Sequence, residues 1–175
     1  MTSEPGVTDA QSIGERYQVR WYEPGDRDGL LSLFESAAHW VRGGGEEWFA
    51  WKYEDNPAAS DVPVVVASHD GAIVGARPCL PLRMRANGDS ITAVQTCDTV
   101  VHESHRRQGI FTEMTRFAFD YYAGRGCPVA IHLPNDVARQ AYGSIGARVV
   151  GDVPTYYRIQ RPLAMLQDRG ATADS

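Results

Sequence analysis

Lysine is almost absent from this chain: Lys52 stands alone, and arginine carries the rest of the positive charge. That is a bias of composition from which no function follows. Cysteine is also scarce. Cys79, Cys97 and Cys127 are widely spaced and form no CxxC pair, which excludes a disulfide or thiolate-zinc framework and reads as the reduced thiols of a cytoplasmic protein. No apolar run approaches the length needed to cross a bilayer. The first fifteen residues, Met1–Glu15, are polar and lack the apolar centre of a signal peptide, so they read as a flexible leader. Gly43-Gly44-Gly45 is not followed by Gly-Lys-Ser/Thr and is therefore no P-loop; it is either a flexible helix–helix connection or a mobile lid over a cleft. A net charge of −5 disfavours non-specific binding to nucleic acid.

What is present suits one soluble domain, since 175 residues with 43% apolar content suffice for a real core. Alternation over Tyr17–Tyr22 predicts a strand, closed by the turn at Glu23-Pro24-Gly25. Asp26 or Asp28 then caps a helix to about Trp40 with Leu30, Leu31, Leu33, Phe34, Ala37 and Ala38 as its apolar face, and a short helix follows over Glu46–Tyr53. Val62–Ser68, Ala72–Arg85 and Ser90–Val101 form a three-strand meander, turned at Asp70-Gly71 and Asn87-Gly88. Pro78 and Pro81 imply an edge or an irregular second half for the middle strand. Ile110, Met114, Phe117, Ala118 and Tyr121 stripe a helix ending at Gly124 or Gly126, and Pro128–Leu133 fits a buried strand parallel to the one before that helix. Asn135 caps a further helix with Val137, Ala138, Ala141, Tyr142 and Ile145 inward and Gly146 at its C′ position. Ala147–Val150 and Thr155–Ile159 are the last strands, and Leu163–Ser175 is a tail. The resulting class is α+β, a sheet with one parallel pair in its middle, in a single domain over residues 16–162.

Two patterns carry chemistry. From Arg106 to Phe111 the chain reads R-x-x-G-x-F, with Gly109 permitting close backbone approach and the helix from Ile110 offering unpaired amides. On its own this is either an anion site for phosphate or a solvated basic turn. The second pattern sets Asn135, Ala138, Tyr142 and Gly146 at offsets 0, +3, +7 and +11. Taken in order, the two resemble the GNAT superfamily of acyl-CoA-dependent N-acetyltransferases, in which a Q/R-x-x-G-x-G/A loop holds the CoA pyrophosphate and an N-x-x-A-x-x-x-Y-x-x-x-G-F helix lies beside the pantetheine arm. The resemblance covers about Tyr17–Arg161. His105–Phe111 and Tyr142–Gly146 are most similar to the branch related to the enhanced-intracellular-survival acetyltransferases. Phe111 replaces the usual Gly or Ala, Glu103 a common proline and Ala147 a frequent aromatic.

The resemblance implies a mixed, mostly antiparallel sheet of about six to seven strands with one central parallel pair, flanked by about four helices. It implies an N-acetyltransferase using acetyl-CoA as co-substrate and no metal, with direct attack by an amine of a small molecule or peptide. Neither nucleic acid nor membrane is an expected partner; a homodimer is left open, because the chain also compares with one half of a two-lobed acetyltransferase. The rival reading is a silent CoA-binding regulatory or scaffold module of the same fold.

Cofactor contacts are implied at Thr99, Val100 and Val101, whose amides are not all used by the sheet, at Arg106, Arg107, Gln108, Gly109, Ile110 and Phe111, and at Asn135. One amide of Thr99–Val101 polarises the thioester carbonyl. Tyr142 stands at the general-acid position, its alternative being a core aromatic. Asp98, a lone carboxylate in an apolar or hydroxyl-bearing run, is the first choice of base; a structural bond to backbone or arginine is the other reading. Glu103, His102 and His132 follow it. His102 and His105 lack a third metal ligand, Cys97 lacks an activating histidine, and the four tryptophans read mostly as core. In this family the two N-terminal helices wall the acceptor cleft, so Trp48 and Trp51 also qualify as acceptor-lining residues.

Overall fold

The computed structural model describes residues 11–13, 16–37, 45–57, 59, 61–154 and 156. The chain falls into two units, Met1–Ile145 and Gly146–Ser175. The first holds β1 (Gln11–Ile13), β2 (Tyr17–Trp21), α1 (Arg27–Ser36), α2 (Gly45–Phe49), β3 (Val64–His69), β4 (Ala72–Ala86), β5 (Asp89–Thr96), β6 (Val100–Val101), α3 (Ile110–Gly124), β7 (Val129–Ile131) and α4 (Asp136–Ser144). The sheet order is β1-β2-β3-β4-β5-β7, with β6 also on β4. Every pairing is antiparallel except β5 with β7, where Ala93, Val94 and Gln95 face Val129, Ala130 and Ile131. This is the expected mixed sheet with one parallel pair, joined by α3 as the crossover.

Turn chemistry sets the meander. Asp70 and Gly71 take φ of 49° and 78°, and Asn87 and Gly88 take 53° and 94°, the paired left-handed residues that a two-residue hairpin needs. They join His69 to Ala72 and Ala86 to Asp89 directly. β4 spans the junction: Ala72–Pro78 pairs with β3, and Cys79–Ala86 with β5. Pro81 therefore lies where β4 has a partner on one side only, in keeping with its missing amide.

Alternation along the strands splits the core. Val65 and Ala67 turn to one face, under Ile110, Met114, Phe117 and Ala118 of α3. Val64 and Val66 turn to the other, under Leu30, Leu31, Leu33 and Phe34 of α1 and the Phe49–Tyr53 segment. Gly75 of β4 is the closest approach: a Cβ there would lie 3.0 Å from Ile110 Cγ2 and 3.1 Å from Ala67 Cβ. The absence of that carbon lets the first turn of α3 settle on the sheet, which fixes the height of the loop before it.

Several boundaries differ from those the sequence suggested. Gln11–Ile13, within the expected leader, pairs with β2, because backbone pairing to a free edge needs no particular side chains. α1 ends at Ser36; Trp40, Gly43 and Gly44 lie outside the described residues. Asp26 occupies the N-cap of α1 without bonding its amides, because its carboxylate takes two bonds from Arg20 at 2.6 and 2.7 Å. α2 passes into a π turn over Ala50–Glu54. Val129 is 38% exposed and not buried, β7 being the last strand of the described order. Ala147–Val150 has no ladder partner among the described residues, and Thr155 and 157–159 lie outside them.

Candidate active site

The strand expected over Ser90–Val101 is interrupted. Cys79 of β4 faces Thr96, but Ala76 faces Val100, so three steps on β4 match four from β5 into β6. The extra residue is a bulge at Cys97–Thr99, and Asp98 takes the left-handed φ of 47°. Beyond it, His102 N–H donates to the Val74 carbonyl at 2.9 Å. Antiparallel bonds alternate, so Val100 opposite Ala76 bonds to β4, while the amide of Val101, opposite Gly75, is directed away from it. On that far side β7 has already ended at Ile131, opposite Gln95. One of the three amides expected to face a thioester is thus turned away from β4, on the side where β7 has ended.

The basic loop follows at once. Glu103–His105 forms a single 3₁₀ turn, Arg107 has φ 62°, and Gly109 has φ 81° as the N-cap of α3. No side chain caps this helix, and its first backbone bond is Glu113 N–H to the Gly109 carbonyl. The amides of Gly109, Ile110, Phe111 and Thr112 are therefore the orphan donors at the positive end of the helix. Gly109 is exposed, and a Cβ there would meet nothing within 4 Å, so the space beside this turn is free. Arg106, Arg107 and Gln108 are exposed around them, and Arg106 Nε donates to the Val101 carbonyl at 3.2 Å. Donors in this arrangement fit a pyrophosphate.

Tyr142 is buried at 7% exposure on α4, whose N-cap Asn135 accepts from Ala138 N–H at 2.9 Å. The capping role of Asn135 is thus seen directly. The Tyr142 ring meets Phe111 edge-on at 5.4 Å and stacks on His132 at 4.0 Å. This brings the two sequence motifs into one place. Between them lies a residue that the sequence reading missed, Arg77. Its side chain is fully buried; Nη2 donates to Tyr142 Oη at 3.0 Å and Nη1 to Thr99 Oγ1 at 3.2 Å, while the guanidinium carbon sits 4.7 Å over the Phe111 ring. Arg77 Nε has no hydrogen-bond partner, and no carboxylate lies within ion-pair distance among the described residues. A lone charge in the buried run Val74–Cys79 was the available signal, the same one that singled out Asp98. Thr96 Oγ1 completes the group, 2.9 Å from Tyr142 Oη and 2.5 Å from His132 Nδ1. Burial, reinforced by the Arg77 charge, pushes His132 down to about 4, so its ring is neutral at ordinary pH.

Asp98 belongs to a second group. Its Oδ2 forms an ion pair with Lys52 and accepts from Tyr53 Oη at 2.5 Å. The partner is thus the sole lysine and no arginine. Lys52 sits 4.7 Å over the Trp48 ring on the π turn, and burial drives the Tyr53 phenol far above its ordinary range. Burial and the Asp98 charge push Cys97 up to about 11, which disfavours the thiolate an acyl-accepting cysteine needs. Trp48 is half-buried here, but Trp51 is 70% exposed and no part of the core. His102 bonds Ser104 and His105 bonds Tyr17, and no group of three or more ligands able to hold a metal ion occurs among the described residues.

The same architecture recurs in solved structures. Glucosamine-6-phosphate N-acetyltransferase from Arabidopsis thaliana superposes with a TM-score of 0.67 at 19% identity, covering 82% of this chain and 99% of its own. An acetyltransferase from Trypanosoma brucei gives 0.65 at 19% identity, over 82% and 99%. An aminoglycoside N-acetyltransferase in complex with CoA gives 0.65 at 15% identity, over 85% and 97%. No curated protein sequence matches the chain. Residues 18–150, most of the chain, match the acetyltransferase (GNAT) domain family. With the bulged strand, the open helix start and Tyr142 gathered at one end of a GNAT sheet, the chain belongs to the GNAT acetyltransferase family.

Proposed function

We propose that the protein transfers the acetyl group of acetyl-CoA to an amine by direct attack in a ternary complex. The observation that carries this reading is the 5.4 Å contact between Phe111 and Tyr142, which joins the anion-binding helix start to the buried phenol. When bound, acetyl-CoA supplies an activated acyl group and a thiol leaving group. The amides of Gly109–Thr112, with Arg106, Arg107 and Gln108, hold the pyrophosphate. The Val101 amide, beside those of Thr99 and Val100, polarises the thioester carbonyl. Asn135 adds its own polar groups to the pantetheine arm while capping α4. Tyr142 Oη gives its proton to the departing sulfur, and Asp98 takes one from the incoming ammonium. The motif resemblance to the enhanced-intracellular-survival branch supports placing the chain near it.

The acceptor side is Trp48 of α2 with Lys52 and Tyr53 on the π turn and Asp98 on the bulge, π turns and bulges being features that accompany functional sites. Amino sugars and aminoglycosides lead the acceptor panel because related folds act on them, followed by polyamines and peptide N-termini. The test is release of CoA thiol from acetyl-CoA with each amine. Turnover above the no-amine rate supports the enzyme; saturable CoA binding without release across the panel supports the silent module instead.

A further inference from the structure

Behind Tyr142 two polar groups, Thr96 and His132, extend a row that acetyl transfer leaves unused. Tyr142 Oη lies 2.9 Å from Thr96 Oγ1, which lies 2.5 Å from His132 Nδ1. Thr96 is buried at 4% exposure, whereas His132 is half-buried. The row therefore runs from the interior toward a ring that reaches water.

Donor counting fixes what the row can do. A guanidinium only donates, so Tyr142 Oη accepts from Arg77 Nη2. Neutral His132 carries a single N–H, and Thr96 has one hydroxyl proton to share between two neighbours. Two arrangements satisfy both hydrogen bonds of the row. In one, Tyr142 donates to Thr96 and Thr96 to a bare Nδ1. In the other, Nδ1–H donates to Thr96 and Thr96 to Tyr142, whose own proton then points out of the row. The second arrangement is the one poised to give a proton away.

We propose that Thr96 and His132 form a proton-return relay for Tyr142. The proposal rests on the reading of Tyr142 as the general acid. As the Tyr142 O–H bond breaks and an S–H bond forms, Thr96 passes its hydroxyl proton to Tyr142 Oη. His132 passes Nδ1–H to Thr96 Oγ1, and His132 Nε2 takes a proton from water, the hydroxide left behind being neutralised by the proton that the acceptor ammonium gives up. Nothing is oxidised or reduced, and the first arrangement results. Arg77 holds the phenolate oxygen while the proton returns. Thr96 and His132 act through Tyr142 and are positioning residues.

The test pairs a spectrum of the free protein with kinetics. In ¹⁵N-imidazole NMR, wild type and Thr96→Ser should show a hydrogen-bonded His132 Nδ1, and Thr96→Val should lose that signature. Thr96→Val should lower kcat about tenfold or more, with KM for acetyl-CoA within about twofold, and Thr96→Ser should restore most of it. His132→Phe, which keeps the stack on Tyr142, should match Thr96→Val. Full kcat in Thr96→Val, equal losses in the Val and Ser variants, or unchanged His132 nitrogens in Thr96→Val would overturn the relay. Acetyl-CoA thermal shifts separate the two levels. A wild-type protein that shows none loses the acetyl-CoA reading and the relay with it; a normal shift with full kcat in Thr96→Val removes the relay alone.

Discussion

Arg77 and Tyr142, 65 positions apart, are joined by a 3.0 Å hydrogen bond in which the fully buried guanidinium donates to the phenol oxygen. The arrangement is costly in isolation, since a buried charge without an acidic partner loses its hydration. Aromatic faces offset part of that loss, with Phe111 at 4.7 Å and Tyr142 at 5.4 Å from the guanidinium carbon. A fixed cation beside a proton donor helps most when negative charge develops there, which is what the proposed acid role of Tyr142 produces.

Arg77→Met separates those two roles. An apolar side chain of similar length should leave the melting temperature unchanged or raise it, because the desolvated charge disappears. Turnover should fall about tenfold or more, because Tyr142 and Thr99 lose a shared donor. Calorimetry and steady-state kinetics on one preparation check both; a large fall in melting temperature would mean that Arg77 is mainly structural.

Tyr142→Phe keeps the ring that meets Phe111 and His132 and removes only the hydroxyl. The expected outcome is a lower kcat with nearly unchanged acetyl-CoA affinity, read by turnover and titration calorimetry. Equal turnover would remove Tyr142 from the proton path.

The sequence exposed local chemistry well and long-range pairing poorly. Asp70-Gly71 and Asn87-Gly88 announced their hairpins because left-handed turns demand those residues. Asn135 announced its helix because its oxygen bonds an amide three residues on. The bulge at Cys97–Thr99 left no such mark, since it exists only in the mismatch between two strands. Arg77 and Lys52 were visible as a lone charge and a sole lysine, but their partners were not. Lys52 meets Asp98 across 46 positions, and a lone charge in an apolar run does not name its partner.

Gly75→Ala tests how α3 is seated. The added methyl would lie 3.0 Å from Ile110 Cγ2, 3.1 Å from Ala67 Cβ and 3.3 Å from Met114 Cε, so these neighbours must give by a few tenths of an ångström. Denaturant unfolding should show a loss of about 1–3 kcal/mol. Acetyl-CoA binding should weaken as well, because the loop amides move with the helix. Wild-type stability would show that the helix start yields freely.

His132 gives the pH dependence a sign. Its folded value of about 4 lies below its ordinary 6.5, so the unfolded chain binds more protons between the two. The neutral ring therefore contributes stability that is present above about pH 6.5 and is lost as pH falls toward 4. Stability against pH measured for wild type and His132→Phe should diverge above pH 4 and run parallel above pH 6.5. Parallel curves throughout would place the imidazole in water.

Calorimetric titration of acetyl-CoA into wild type and Gly109→Glu bears most directly on the central claim. Glutamate would strain a backbone at φ 81° and set a negative charge among the open amides of α3. One saturable site in wild type that vanishes in a folded Gly109→Glu protein is the predicted result. Equal affinity in the two proteins would contradict it and place the cofactor away from the Arg106–Phe111 loop.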